Sequence, residues 1–323
     1  MEAMKSKQWA FFAMLLATIL FALGSPILKL LIIKGGALGI EHVDAISFCN
    51  VLFIGNLCAG LITWLSFPKT PMLKEVKSLS SKGKMFAGLS VILAIIYPSL
   101  IFFALQYTTV TRIVLLSRFE GIMYAILGAI FLKAVLKKSE LVGYIFISIG
   151  ILIVIFTSKE MFSIADILVL LACVVYAFSE LVSYQLLKSL SMPTLLFIRN
   201  AVSAVVFFII ATDLFGPQHF AEAFYGDLWI AMLVYAGIAI VLGQILWFSV
   251  VKNVNATWPT NFALLTPFFT IAFAYLLLGE VPTYSEWIAI IIIAIGLILT
   301  NLINRFSKRA STSLGVETGL LGK

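Results

Sequence analysis

Charge is what this sequence has least of. Asp, Glu, Lys and Arg make up 11% of the 323 residues, whereas a soluble domain carries about 25%. Hydrophobic residues make up 62%, more apolar surface than a globular interior can absorb and a composition that a bilayer can. That excludes a soluble domain of ordinary kind. Cysteine and histidine are also scarce. Cys49, Cys58 and Cys173 all fall inside apolar runs and read as small packing residues, not as a disulfide or metal framework. His42 and His219 fall outside the apolar runs and form no metal-ligand spacing. There is no nucleotide-binding loop, no His/Asp catalytic array and no metal motif, so neither a cofactor nor a metal is expected. Gly24-Ser25-Pro26 is not a nucleophile elbow, because it lies in a helical run without the strand before it.

What the chain does have is apolar length. Ten runs of roughly 18–25 residues match the span of a bilayer-crossing helix. They lie near 9–33, 44–66, 86–106, 109–131, 140–157, 164–187, 194–213, 228–250, 257–278 and 285–304. Gly, Pro and Ser inside them suit packed membrane helices. Alternating ten-residue segments, the mark of a membrane β-barrel, are missing. The first run reads as a retained helix and not a signal peptide. The net charge of +7 follows topology, not a nucleic-acid partner: sixteen basic residues fall in the segments on one side, and two, Lys34 and Lys159, on the other. The positive-inside rule then puts both termini in the cytoplasm. Trp9, Trp229, Trp258 and Trp287 sit near run ends, as an interfacial belt does.

The chain also reads the same way twice. Ser285-Glu286 opens the run that reaches Ile295-Gly296, and Ser139-Glu140 opens one that reaches Ile149-Gly150, a shift of 146 residues. Ala17, Phe21-Ala22 and Gly24 match Ala172, Tyr176-Ala177 and Ser179. Five runs per copy is odd, so the second copy must enter the membrane from the opposite face, as in the inverted repeats of secondary transporters. The fold expected is an all-α membrane protein of ten transmembrane helices in two inverted five-helix repeats. Residues 1–158 form the first, 159–304 the second, and 305–323 a polar cytoplasmic tail expected to be disordered.

Three stretches carry a family resemblance. Ala263-Leu264-Leu265-Thr266-Pro267 leads to Leu276-Leu277-Leu278-Gly279-Glu280, a short polar link and a run with Ile295-Gly296. Arg199 stands early in the seventh run, and Phe21-Ala22-Leu23-Gly24-Ser25-Pro26 with Lys29 in the first. Their order over residues 9–304 resembles the EamA-type transporters of the drug/metabolite transporter superfamily. The resemblance implies a cavity lined by the first, third, fourth, sixth, eighth and ninth helices, a cell (inner) membrane location, and export or exchange of small metabolites. The first half departs from the pattern. Gly121 stands where the family has Pro, Lys133-Ala134 where it has Gly-Glu, and Asn50 where the other half has Arg199. The substrate class is therefore not carried over.

Charges inside a membrane cost at least ~2.5–3.5 kcal/mol each and need a reason. Glu120 falls about 16 Å into the fourth run, near the midplane. It can bind an amino group, or take up a proton and couple export to the proton gradient. Arg118 either holds an anionic group or balances a carboxylate; two residues apart, it and Glu120 do not face each other. The plain alternative for both is a structural ion pair. Tyr97, Ser99, Tyr176, Gln244, Trp247, Asn261 and Thr266 are further candidates to line a substrate site, with Gln106 beside them. The Pro98 and Pro267 kinks leave carbonyls free. Glu180 and Arg199, on consecutive runs, read as an interhelical pair or an inner gate, and Ser25-Pro26 as a hinge. Lys29 and Arg112 read as snorkelling anchors, and Glu280 as a cap or gate residue.

The leading expectation is a secondary transporter that exports amino acids or related compounds by alternating access. The alternatives are a uniporter or exchanger of an anionic or nucleotide-related metabolite, and a membrane-embedded lipid-modifying enzyme. The enzyme lacks its acid/base or metal array, so no enzyme activity is expected. Partners expected are the small-molecule substrate and the lipid bilayer, with no nucleic acid; a homodimer is compatible with the sequence.

Overall fold

The computed structural model describes residues 2–38, 48–133, 138–157, 162–216, 233, 235–251, 262 and 265–300. Every regular element among them is helical. In chain order they are α1 (Glu2–Leu38), α2 (Phe48–Ser66), α3 (Met72–Lys77), α4 (Ser81–Tyr107), α5 (Val110–Leu116), α6 (Phe119–Leu132), α7 (Lys138–Phe156), α8 (Ile164–Leu186) and α9 (Met192–Phe215). A π-helical stretch (Tyr235–Leu242) then runs into α10 (Gly243–Val251), followed by α11 (Thr266–Leu278) and α12 (Tyr284–Thr300). Asn261, Trp229, Trp258, His42, His219, the side chain of Cys49 and the 305–323 tail lie outside the described residues.

Five stretches are long and apolar enough to cross a bilayer: Gln8–Lys34, Ser81–Tyr107, Val110–Phe131, Ile164–Leu186 and Met192–Asp213. Asn50–Ser66, Glu140–Phe156, Thr266–Leu278 and Tyr284–Thr300 are shorter apolar helices. The chain is a multi-pass membrane protein. Trp9 and Trp287 are exposed near helix ends.

The fourth run is a broken helix. At the junction of α5 and α6 the Arg118 N–H donates to the Leu115 carbonyl (3.3 Å) and the Glu120 N–H to the Ser117 carbonyl (3.0 Å). Both reach three residues back, a tightening that interrupts the α ladder. Ser117 Oγ also donates to the Ile113 carbonyl at 2.8 Å, a back-bond that bends helices. In the ninth run, α11 begins at Thr266 with Pro267 in its first turn. α6 and α11 then finish alike, on Lys133 (φ 54°) and Gly279 (φ 68°), left-handed caps 146 positions apart in the sequence.

The packing partners repeat as well. α4 lies on α8, and α1 on the π stretch and α10; α6 lies on α8, and α1 on α11. Exchanging the two sets of five runs turns the first of these pairs into the second and the third into the fourth. It leaves two further contacts, α2 on α9 and α5 on α11, unchanged. The same exchange governs α7 and α12. A Cβ on Gly143 would stand 2.6 Å from the Gly296 carbonyl oxygen, and one on Gly150 would stand 3.2 Å from that of Ala289. The 146-residue shift carries Gly143 onto Ala289 and Gly150 onto Gly296, so the antiparallel contact is its own image, as a two-fold interface is. Small residues permit this approach where no hydrophobic force drives helices together.

At the centre lies α5, in which every residue from Val110 to Leu116 is buried. Glycine packing between α7 and α12 makes a first prediction. Gly143→Leu should destabilise the protein by about 1–3 kcal/mol, read as a lower melting temperature in detergent. Gly88→Ala, whose Cβ would meet nothing within 4 Å, should leave the melting temperature unchanged or raised.

Candidate functional site

Glu120 lies in the first turn of α6, at the middle of the 22-residue span Val110–Phe131. It is half-buried. Tyr97, from the middle of α4, donates its hydroxyl to Glu120 Oε1 at 3.3 Å. The Tyr97 and Tyr176 rings are 5.2 Å apart, tilted by 47°. Three helices thus deliver one carboxylate and two phenols to one depth. Arg118 and Glu180 act electrostatically on the carboxylate, while Arg118 Nε donates to the Val114 carbonyl at 3.2 Å. Behind the cluster, the buried Cys173 thiol points at the Leu116 carbonyl, 3.8 Å away.

At the other end of α5, charged groups hold the helix start. Glu280, just past α11, accepts from the Val110 N–H (2.9 Å to Oε2) and the Thr111 N–H (3.4 Å). These are backbone donors that a helix start leaves without partners. Lys29 of α1 donates to the Leu105 carbonyl, and to that of Thr108 at 3.2 Å. Arg112 forms a two-pronged ion pair with Asp166 of α8, Nε to Oδ1 at 2.7 Å and Nη2 to Oδ2 at 2.6 Å. Asp166 is 0% exposed, and its Oδ2 also accepts the Ser163 N–H at 2.9 Å.

These contacts correct two sequence expectations. Lys29 and Arg112 do not stand free at the interface: Lys29 is bonded to carbonyls at the end of α4 and Arg112 to the buried carboxylate of Asp166 on α8. Glu280 acts as a cap. The expected Glu180–Arg199 ion pair is corrected too. The Arg199 guanidinium donates to Ser179 Oγ (3.0 Å) and Ser183 Oγ (3.2 Å), and among the described residues Glu180 makes no ion pair with it. The two serines lie one turn apart on α8 and both reach the guanidinium.

The remaining candidates scatter. Ser99 Oγ is committed to the Ile95 carbonyl of its own helix at 2.7 Å. Trp247 packs edge-on to Phe21 of α1, 5.8 Å between centroids, beside the half-buried Gln244. The half-buried Thr266 gives its carbonyl to Thr270 Oγ1 at 2.9 Å. Ser25 is half-buried beside the buried Pro26, inside a helix that continues through both. Gln106 is exposed. Asp166 was missed as a site residue, although Ser163-x-x-Asp166 before an apolar run is a helix-start signature. No cluster of His, Cys, Asp and Glu among the described residues could hold a metal ion.

The class of protein is given by its sequence relationships. Residues 163–302 match the EamA-like transporter family. An uncharacterized transporter of Synechocystis sp. is 32% identical over 312 residues, which covers 93% of this chain and 89% of the relative. An uncharacterized transporter of Archaeoglobus fulgidus is 24% identical over 206 residues, covering 62% of this chain and 69% of the relative. A crystal structure at 14% identity aligns with a TM-score of 0.54 over 93% of this chain and 98% of that one, a likeness of fold alone. The chain belongs to the EamA-like transporter family of the drug/metabolite transporter superfamily; it is a membrane transporter and not an enzyme.

The buried ion pair makes the second prediction. Asp166→Asn leaves the Arg112 charge without its partner and should destabilise the protein by about 3–5 kcal/mol. Replacing both partners, Arg112→Met with Asp166→Leu, should recover most of that loss in the same detergent melting assay.

Proposed function

We propose that this transporter exports a small metabolite bearing a protonated amino group, an amino acid or a related compound, in exchange for protons. The Tyr97–Glu120–Tyr176 cluster carries the reading. An ammonium group can donate a charge-assisted bond to the Glu120 carboxylate, with an aromatic face beside it. A proton on Glu120 removes that bond, so proton and substrate compete for one site and their fluxes oppose. Arg118 would receive the carboxylate of an amino acid. Ser99, Gln244, Trp247 and Thr266 are proposed as further contacts for substrate in other conformations of the cycle. Glu180 and Arg199 gate the side away from α5, and Ser25-Pro26 is the hinge in α1.

Alternating access follows from two inverted halves, 1–158 and 159–304, with ten spans, cytoplasmic ends and the 305–323 tail inside the cell. The exchange symmetry of the helix contacts and the left-handed caps of α6 and α11 support that arrangement, and the Lys and Arg distribution supports the orientation. In that frame Glu280, Lys29 and the Arg112–Asp166 pair form the outer closure. The second reading, an exchanger of an anionic metabolite in the cell membrane, is favoured by Arg118 and Arg199. Neither guanidinium meets a carboxylate within ion-pair distance among the described residues.

The test is proton release by the purified protein in weakly buffered detergent as amino acids, amines and nucleotides are added. An amine-bearing ligand should expel protons from the wild type. Glu120→Gln should abolish the release and weaken binding by roughly tenfold to a hundredfold, and Tyr97→Phe should weaken it by a few fold. An anion bound without proton release, equally well by Glu120→Gln, would overturn the amine reading in favour of the exchanger.

A further inference from the structure

A groove of about 780 Å³ runs between α2 and α9 on the outside of the bundle, within the size range of ligand sites, about 300–1,000 Å³. Its walls are apolar: Phe53, Gly60 and Trp64 on α2 face Phe208, Ala201 and Phe197 on α9. These positions recur at one spacing on both helices, so each presents a single face to the groove. Phe53 and Phe208 close one end, ring centroids 5.4 Å apart. From Phe53 to Trp64 the groove is about 16 Å long, close to the half-thickness of a bilayer's hydrocarbon, about 15 Å.

The other end meets α3, which lies across the mouth and contributes Lys74 to the lining. Lys69 and Lys77 are exposed on the same short segment. The acidic residue of α3 is engaged elsewhere: Glu75 accepts the Ser191 N–H and Oγ, each at 2.8 Å, at the start of α9. Partial burial pushes the Glu75 carboxyl up, but the Ser191 N–H and the Thr194 and Ser191 hydroxyls outweigh it and hold it below its ordinary value. The carboxylate therefore stays with α9 and the lysines stand unopposed at the mouth.

We infer that this groove is a binding site for one anionic phospholipid, with an acyl chain between α2 and α9 and the phosphate on Lys74. The length fits one leaflet, the walls fit a hydrocarbon chain, and the charge fits the head. Polybasic segments beside a membrane attract anionic lipid for the same reason. The site is separate from the Glu120 cluster, because the groove face of α9 carries Phe197, Ala201 and Phe208 and Arg199 is turned towards α8.

Trp64 is the probe. In vesicles of phosphatidylcholine carrying a minor share of brominated phosphatidylglycerol or brominated phosphatidylcholine, its fluorescence is obtained by difference from Trp64→Phe. Brominated phosphatidylglycerol should quench it at roughly fivefold lower mole fraction. Lys74→Gln should bring the two lipids to parity, and Lys74→Arg should keep the preference. Equal quenching by both lipids in the wild type would reduce the groove to ordinary boundary lipid and overturn the site. Protection of Trp64 from both lipids would assign the groove to a second copy of the chain and overturn it equally.

Discussion

A helix end in a bilayer has no water to complete its hydrogen bonds, and the architecture turns on how one such end is satisfied. α5 is buried along its whole length, so its first amides start in the protein interior, where each unmet group is expensive. Glu280 takes the amides, Lys29 takes the carbonyls, and Arg112 ties the first turn to Asp166. Glu280, Lys29 and Asp166 come from the end of α11, from α1 and from α8. A single local need thereby joins elements far apart in the sequence around α5, and the end of α5 that meets α6 sets where Glu120 emerges.

The break between α5 and α6 has the same logic in reverse. The ladder is interrupted beside Glu120, so a carboxylate sits in the first turn of a new half-helix, where the dipole favours negative charge. The Tyr97 hydroxyl supplies a further donor. A charge that would be costly in an uninterrupted apolar helix becomes tenable there, and part of its surface stays accessible.

Periodicity and depth were legible in the sequence. Apolar length located the helices described within the runs, and counting along the fourth run put Glu120 near the middle of the span Val110–Phe131; its bond to Tyr97 was not foreseen. Partnerships across helices were not legible. Arg112 and Asp166 are 54 residues apart, and nothing in composition says that a basic residue near a run end turns inward and not to the interface. Arg199 shows the same limit: Glu180 is the obvious partner by charge, but side-chain direction on α8 delivers Ser179 and Ser183 instead. The groove between α2 and α9 was invisible as well, since each face reads as ordinary apolar helix until the two are set side by side.

The Glu280 clasp also has a thermodynamic meaning. By the internal repeat its counterpart in the first half is position 134, which is alanine in the sequence. A duplicated scaffold whose two ends were chemically equal would visit its mirror conformations about equally. In the proposed alternating-access cycle, the carboxylate bracketing two amides at one end, set against alanine at position 134 of the sequence, is expected to favour the clasped form. A ligand arriving from the clasped end meets a binding-competent fraction reduced by the free energy of opening, and its apparent affinity falls in proportion. The two faces of one binding site would thus report different dissociation constants, although the residues that touch the ligand are the same.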